Sequence, residues 1–277
     1  MSITGTGTQA DPYVVTTYAE LVEKAAESGV YIKVGNDINI TDEYPDGDMP
    51  NLQMNGCNID GDGKTISNWY NFNTDHYSIS GDGTIKNARI SNIYTNYHFC
   101  ANGYNSSKYI FEDCRISGII VGDKVFANLY YVNKVMKGCS VNLLLKSGAG
   151  FLYVQQAYGR WADIDNCYVK IKSDGGRSNI FGSDYNGIAT MGSGSYYEID
   201  APNFFSGNTF STTFSNCVFD ITANSTFTFN ITGSSASPSI INTTKAPNCT
   251  PQNKLLGVSD EYWLDVDHLA SIGFNAG

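Results

Sequence analysis

The frame Phe111-Glu112-Asp113-Cys114-Arg115-Ile116 returns as Met136-Lys137-Gly138-Cys139-Ser140-Val141 and again as Ile164-Asp165-Asn166-Cys167-Tyr168-Val169. An alanine version, Ile85-Lys86-Asn87-Ala88-Arg89-Ile90, precedes them, and Phe214-Ser215-Asn216-Cys217-Val218-Phe219 follows them. Met54-Asn55-Gly56-Cys57-Asn58-Ile59 heads the series. Each copy reads apolar, polar, small turn residue, Cys or Ala, any residue, apolar. From Cys57 to Cys217 the steps are 31, 26, 25, 28 and 50 residues, the last being two steps of 25 with a degenerate copy between. A period of this size marks a solenoid or array.

Within a copy the apolar residues alternate at period two, as in Cys114, Ile116, Gly118 and Ile120, or Cys139, Val141 and Leu143, or Cys167, Val169 and Ile171. This is strand and not helix spacing, and it sends Arg115, Ser117, Tyr168 and Lys170 outward. One strand pattern per ~25 residues, bounded by Gly, Asn and Asp, predicts an all-β parallel β-helix. About eight coils stacked ~4.8 Å apart would rise roughly 40 Å. Cys57, Ala88, Cys114, Cys139, Cys167 and Cys217 then form a ladder inside the coil, beside a turn that admits only a small side chain. A metal site is the rival reading, but there is no CxxC pair, and the nearest cysteines, Cys100 and Cys114, are 14 residues apart. No metal or other cofactor is expected.

Short helices are expected at both ends. Thr17-Tyr18-Ala19-Glu20 is a capping-box pattern, with Leu21, Val22, Ala25 and Ala26 on one face and Gly29 as the stop. Ile32 in the next strand pattern lies 25 residues before Cys57, in phase with the ladder. A second helical pattern opens at Ser259-Asp260-Glu261-Tyr262 and runs to Ala270. The expected division is 1–29 as N-terminal segment and capping helix, 30–230 as β-helix, and 231–277 as an irregular Ser/Thr/Asn-rich segment with a helical cap.

The 277 residues carry 17 basic and 27 acidic side chains, a net charge of −10 and a pI near 4.6. This balance, with no basic run, argues against binding nucleic acid or anionic membranes. No stretch of 18 apolar residues could span a bilayer, and the opening Met1-Ser2-Ile3-Thr4-Gly5 lacks the basic and apolar parts of a secretion signal. The chain is therefore expected to be made and used without translocation, or to have been trimmed. Seven cysteines, an odd number, argue for free thiols over a disulfide framework.

Gly7-Thr8-Gln9-Ala10-Asp11-Pro12-Tyr13-Val14-Val15 with Val34-Gly35-Asn36-Asp37-Ile38-Asn39-Ile40 resembles the start of right-handed parallel β-helix proteins found among bacteriophage virion components. Ile59-Asp60-Gly61-Asp62-Gly63-Lys64-Thr65-Ile66 is similar to their first full coil, and His268-Leu269-Ala270-Ser271-Ile272-Gly273-Phe274 to their closing segment. The resemblance brackets almost the whole chain. It implies a right-handed solenoid of the pectate-lyase-like type, made in the host cytoplasm, and a place in the virion, as a capsid decoration, head fibre or tail-associated protein. A homotrimer, contacts with other virion proteins and attachment to a host-surface glycan follow from it as expectations. The same fold carries lyases, hydrolases and adhesins, so activity must be argued from residues.

Those residues offer little convergent chemistry. A polygalacturonase would need an Asp-Asp pair, His-Gly and Arg-Ile-Lys, none of which occurs. Pectate-lyase-like chemistry finds one echo, Asp75-His76 with Arg89 a repeat later. Asp62 and Asp82, each in a Gly-Asp-Gly turn, are candidates for a stacked carboxylate pair, or simply turn residues. Asp163 and Asp165 alternate beside Arg160 and Trp161, which suits either a sugar site or a solvated outer face. His76, His98 and His268 have no nucleophile at motif spacing. A depolymerase, if there is one, would use Asp163, Asp165, Asp184 and Glu198 as its acid and base candidates. Tyrosines outside the ladder positions, Tyr94, Tyr97, Tyr104, Tyr109, Tyr130 and Tyr131 among them, suit subunit or carbohydrate contacts. A non-enzymatic virion structural protein is the preferred reading. A tailspike depolymerase and a bacterial surface adhesin are the alternatives.

Overall fold

The computed structural model describes residues 3–72, 77–101, 108–122, 124–127, 133–146, 149–154, 160–173, 179–183, 188–193 and 195–200, and beyond these only short strands between 203 and 251. Almost every strand pairing is parallel and links strands one repeat apart, which makes the chain a parallel β-solenoid, with one α-helix among the described residues. A first wall stacks Ile38–Asn39, Thr65–Ser67, Arg89–Thr95, Arg115–Ile120, Ser140–Leu145, Tyr168–Ser173, Tyr196–Asp200, Val218–Thr222 and Ile240–Asn242 in that order. The other large sheet starts with Tyr13–Val15, Tyr31–Val34, Leu52–Asp60 and Ile79–Lys86, and then forks. The first half of Ile79–Lys86 pairs with Cys100–Ala101, the base of a second wall. The second half pairs with Phe111–Glu112, the base of a third. The early coils thus turn a corner inside one bent strand, whereas later coils divide that strand in two.

The bend in Leu52–Asp60 falls at Gly56, which has φ +69° and interrupts the register with Ile79–Lys86 between Asn55 and Cys57. A left-handed residue inside a strand turns its direction, and glycine occupies that conformation without steric cost. On either side of the bend the predicted alternation holds: Leu52, Met54, Cys57 and Ile59 are buried. Interior columns follow from register. Ile32, Ile59, Ile85, Phe111, Met136 and Ile164 are successive partners in one, and Ile66, Ile90, Ile116, Val141, Val169 and Tyr197 in another. Like apolar groups stacked every turn exclude water from a single continuous core.

The turn between third and first walls carries the repeated frame. Its small residue is left-handed in each described copy: Asn87 (φ 52°), Asp113 (52°), Gly138 (65°) and Asn166 (50°). Asn, Asp and Gly adopt that conformation more readily than other residues, which explains the third letter of the frame. The fourth letter points inward, and neighbouring copies are linked. Cys139 N–H donates to Cys167 Sγ at 3.4 Å, and Cys167 N–H donates to Ser195 Oγ at 3.1 Å. Each thiol also donates within its own turn, Cys114 to Glu112 O (3.2 Å), Cys139 to Lys137 O (3.4 Å) and Cys167 to Asp165 O (3.2 Å). The ladder side chains therefore fill space and satisfy backbone groups that the corner would leave buried without partners.

Two positions differ from expectation. Cys57 stands opposite Gly83, and Ile32 opposite Ile59, so neither is in phase with the corner ladder. The residue beneath Ala88 in the ladder is Gly61, where a Cβ would lie 2.6 Å from that of Ala88.

 Gly56-Cys57 imitates the frame because the strand bend, like the corner, needs a left-handed residue followed by a small inward one. Ser195 is the degenerate copy expected between Cys167 and Cys217: it is buried, and its hydroxyl donates to Ile164 O at 2.9 Å. The side chain of Cys217 lies outside the described residues. The structure closes about five turns, against the eight expected.

The lid helix, Tyr18–Ala25, forms as its sequence predicts. The Thr17 hydroxyl accepts from Glu20 N (3.2 Å), the Glu20 carboxylate accepts from Thr16 N (2.7 Å), and Glu43 accepts from Tyr18 N (2.6 Å) and Ala19 N (3.0 Å). These contacts satisfy the N–H groups of the first turn and place negative charge at the positive end of the helix. Tyr18, Leu21 and Ala25 are buried on the first coil. The C-terminal helical pattern lies outside the described residues, as does most of 231–277. Among the described residues no helix is long and apolar enough to cross a membrane.

Cys57, Cys100, Cys114, Cys139 and Cys167 are free and buried. Burial pushes the Cys57 thiol up to about 11 and that of Cys100 up to about 12. The hydrogen bond with Cys139 and then burial raise Cys114, and burial raises Cys139. A thiolate is the reactive form and burial keeps the reagent from all five sulfurs, so these cysteines should resist alkylation in the folded protein. Peptide mapping after iodoacetamide treatment at pH 8 is expected to show them labelled only when denaturant is present. Labelling of Cys139 or Cys167 in the native protein would contradict the ladder.

Candidate functional site

The carboxylates singled out in the sequence lie on two different walls. Asp163 and Asp165 flank buried Ile164 in the third-wall strand Arg160–Asp165, so they point outward. Register sets Asp163 beside Lys134 and Asp165 beside Lys137. Tyr109, just before Phe111–Glu112, donates its hydroxyl to Asp165 Oδ2. Lys134 Nζ lies 5.1 Å and Lys137 Nζ 6.0 Å from the centroid of the Tyr109 ring, within cation–π range. These five side chains make one polar cluster over three successive turns. Sequence reading missed Tyr109, Lys134 and Lys137 as its members. The one available signal was the 25–28-residue phase that places them a turn apart.

Burial, and next the charge of Asp165, push the Asp163 carboxyl above its usual range, with Lys134 drawing it partly back. Its proton is held more tightly in the folded protein than in the unfolded chain. The linked stability is therefore present at low pH and is lost as pH rises through the unfolded value towards the folded one. Asp163→Asn should accordingly raise the melting temperature at pH 7 by a small amount and leave it nearly unchanged at pH 3. A lower melting temperature at pH 7 would show that the Lys134 contact outweighs burial. Burial and the bond to Asp165 raise the Tyr109 hydroxyl, which stays protonated as a donor at neutral pH.

Glu198 belongs to Tyr196–Asp200 on the first wall. Tyr168 donates its hydroxyl to Glu198 Oε2 at 2.6 Å, and Lys170 pairs with Oε1 at 2.9 Å. A glycosidase needs two carboxyl groups flanking one scissile bond. The structure does not bring Glu198 to Asp163 and Asp165, and Asp184 lies outside the described residues. The side chains of Arg160 and Trp161 also lie outside them.

Asp62 and Asp82 do not stack. Asp62 sits at the Gly61–Lys64 turn, paired with Lys33 at 3.1 Å, whereas Asp82 is in register with Asn55 at the strand bend. His98 is buried between Tyr97 and Tyr77, with ring centroids 4.1 and 5.6 Å away. Asp75, His76 and His268 lie outside the described residues.

No family model matches the chain, and no curated protein does. Among solved structures the chain is similar to one described as a "putative immunoglobulin A1 protease" from Bacteroides ovatus. The identity is 17%, the TM-score is 0.48, and the match covers 86% of this chain and 79% of that one. A likeness of that degree says nothing of what this chain does.

Proposed function

We propose that the chain is a non-catalytic structural β-solenoid of a bacteriophage virion, which presents its outer walls to neighbouring subunits and to a host-surface glycan. Its coil is right-handed, the hand taken by nearly all strand–crossover–strand connections in parallel sheets. One observation carries the reading. The outward carboxylates on successive turns are engaged by tyrosine and lysine partners of the same walls, Asp165 by Tyr109 and Glu198 by Tyr168 and Lys170. Such cross-strand pairs stiffen an outer surface. Exterior aromatic contacts, Phe72 with Tyr70 and Tyr94, and Tyr168 with Tyr196, supply the rigid amphipathic area typical of contact surfaces. The homotrimer is part of this proposal.

Mass photometry of the purified chain, followed by co-sedimentation with phage particles that lack it, tests the reading. A trimer that pellets with the particles is the expected result. A monomer that stays in the supernatant would overturn it.

A second reading, a polysaccharide depolymerase, rests on Asp163 and Asp165. They share one outer strand, with one carboxyl raised and the other hydrogen-bonded, a division that suits an acid and its partner. Asp163→Asn separates the readings, since it would abolish chain cleavage if that pair were catalytic.

A further inference from the structure

We propose that the outer face of the first wall at Arg89–Thr95 and Arg115–Ile120 binds a carboxylate-bearing acidic oligosaccharide, with Arg89 and Arg115 as the anion clamp. The proposal rests on the glycan-attachment part of the reading above and names its site and ligand class. Arg89 and Arg115 are direct register partners on adjacent turns, and both are exposed. Adjacent strands stand ~4.8 Å apart, so two guanidinium groups leave the surface side by side. Like charges opposite one another destabilise a sheet. Among the described residues neither arginine has a carboxylate within 4.0 Å, whereas Lys24, Lys33, Lys86 and Lys170 all have acidic partners. Asp113, the acid nearest Arg115 in sequence, directs Oδ1 towards the Cα of Gly138, where an added Cβ would lie 2.2 Å from it. In a chain of net charge −10, this pair is a local positive site whose counterion the fold does not supply.

Its surroundings fit a sugar better than a bare anion. Thr65 and Ser140 extend the same column on either side of the arginines. The next outward positions along these strands are Ser91 and Ser117. Beyond them stand Tyr94 and, across the rung, Tyr70, with Phe72 packed on both and 46% exposed. One wall thus offers, over roughly 15 Å of strand, two forked donors for a planar carboxylate, a row of hydroxyls and an aromatic platform. Guanidinium groups bind carboxylates bidentately, and aromatic rings offer flat apolar faces with a polar rim.

The test is calorimetric titration of the intact chain with hyaluronan and alginate oligosaccharides, with neutral dextran oligosaccharides and sulfated heparin oligosaccharides run in parallel. The uronic-acid oligosaccharides are expected to bind and dextran not to. Arg89→Ala and Arg115→Ala should each weaken binding at least tenfold, and Arg115→Lys severalfold, because a lysine cannot form the fork. Each arginine variant should keep or raise the melting temperature, since it removes one of two adjacent like charges, so lost binding cannot be blamed on lost folding. Equal binding of dextran, binding of heparin oligosaccharides alone, or unchanged affinity in both alanine variants would overturn the proposal. If no saccharide binds while the trimer still pellets with particles, this inference fails and the structural reading stands.

Discussion

Trp69→Ala is expected to lower stability by about 3–5 kcal/mol, the range for deleting a fully buried large aromatic side chain. Trp69 is completely buried, and its indole Nε1–H donates to Ile66 O at 2.9 Å. Its ring meets Tyr18 of the lid helix edge-on at 5.5 Å and Phe99 of a later turn edge-on at 5.8 Å. One side chain therefore fastens the lid to two coils, and removing it leaves a cavity whose walls are tied to three separate segments. Such walls cannot collapse without moving the stacked strands, which places the cost towards the upper part of the range. Urea unfolding followed by circular dichroism measures the loss. A change below about 1 kcal/mol would mean that the lid and the coils do not share one core.

The second large effect is expected at Cys167, where three replacements separate size from hydrogen bonding. Cys167→Ala should cost about 1–3 kcal/mol, because it leaves the Cys139 N–H buried without the sulfur that accepts from it at 3.4 Å. Cys167→Leu adds volume between rungs of fixed spacing and should cost about 1–3 kcal/mol through strain. Cys167→Ser should be tolerated best, because Ser195 fills the next rung with its hydroxyl bonded to Cys167 N and Ile164 O. The order Ser, then Ala and Leu, read from thermal melts, is the expected result. If Ala were tolerated better than Ser, the ladder would be a matter of volume alone.

The same contrast explains how far the fold could be read from the sequence. Period-two alternation and the Asn/Asp/Gly corner residues are local signals, and they placed Ile90, Ile116, Val141 and Val169 in one interior column. Cys57 reads as a ladder member yet stands at the strand bend, because two different bends use the same local chemistry, and only the 31-residue first step hints at the difference. Ser195 is not legible as the degenerate copy because the frame reads Cys or Ala at that letter, although the position admits any small side chain. The fork after Ile79–Lys86 depends on pairings with segments more than 20 residues away and leaves no local mark.

For the candidate site the sequence was less informative. It marked Asp163 and Asp165 as outward neighbours, but their partners Tyr109, Lys134 and Lys137 come from earlier turns. Glu198 was grouped with them by charge alone, whereas the wall it occupies is set by its register with Lys170. Arg89 and Arg115 hold the same position of the repeat, but which acids come within reach of them is set by the register of the walls and not by any local pattern.

The claim that the solenoid holds a glycan without cutting it is tested most directly by the chain length of a uronic-acid polysaccharide before and after prolonged incubation with the purified protein. Size-exclusion chromatography with light scattering, together with a reducing-end assay, reads both quantities on one sample. The account predicts that polysaccharide co-elutes with the protein at unchanged length and with no new reducing ends. Progressive shortening of the polysaccharide, lost in Asp163→Asn, would contradict it and make the third-wall carboxylates a catalytic pair.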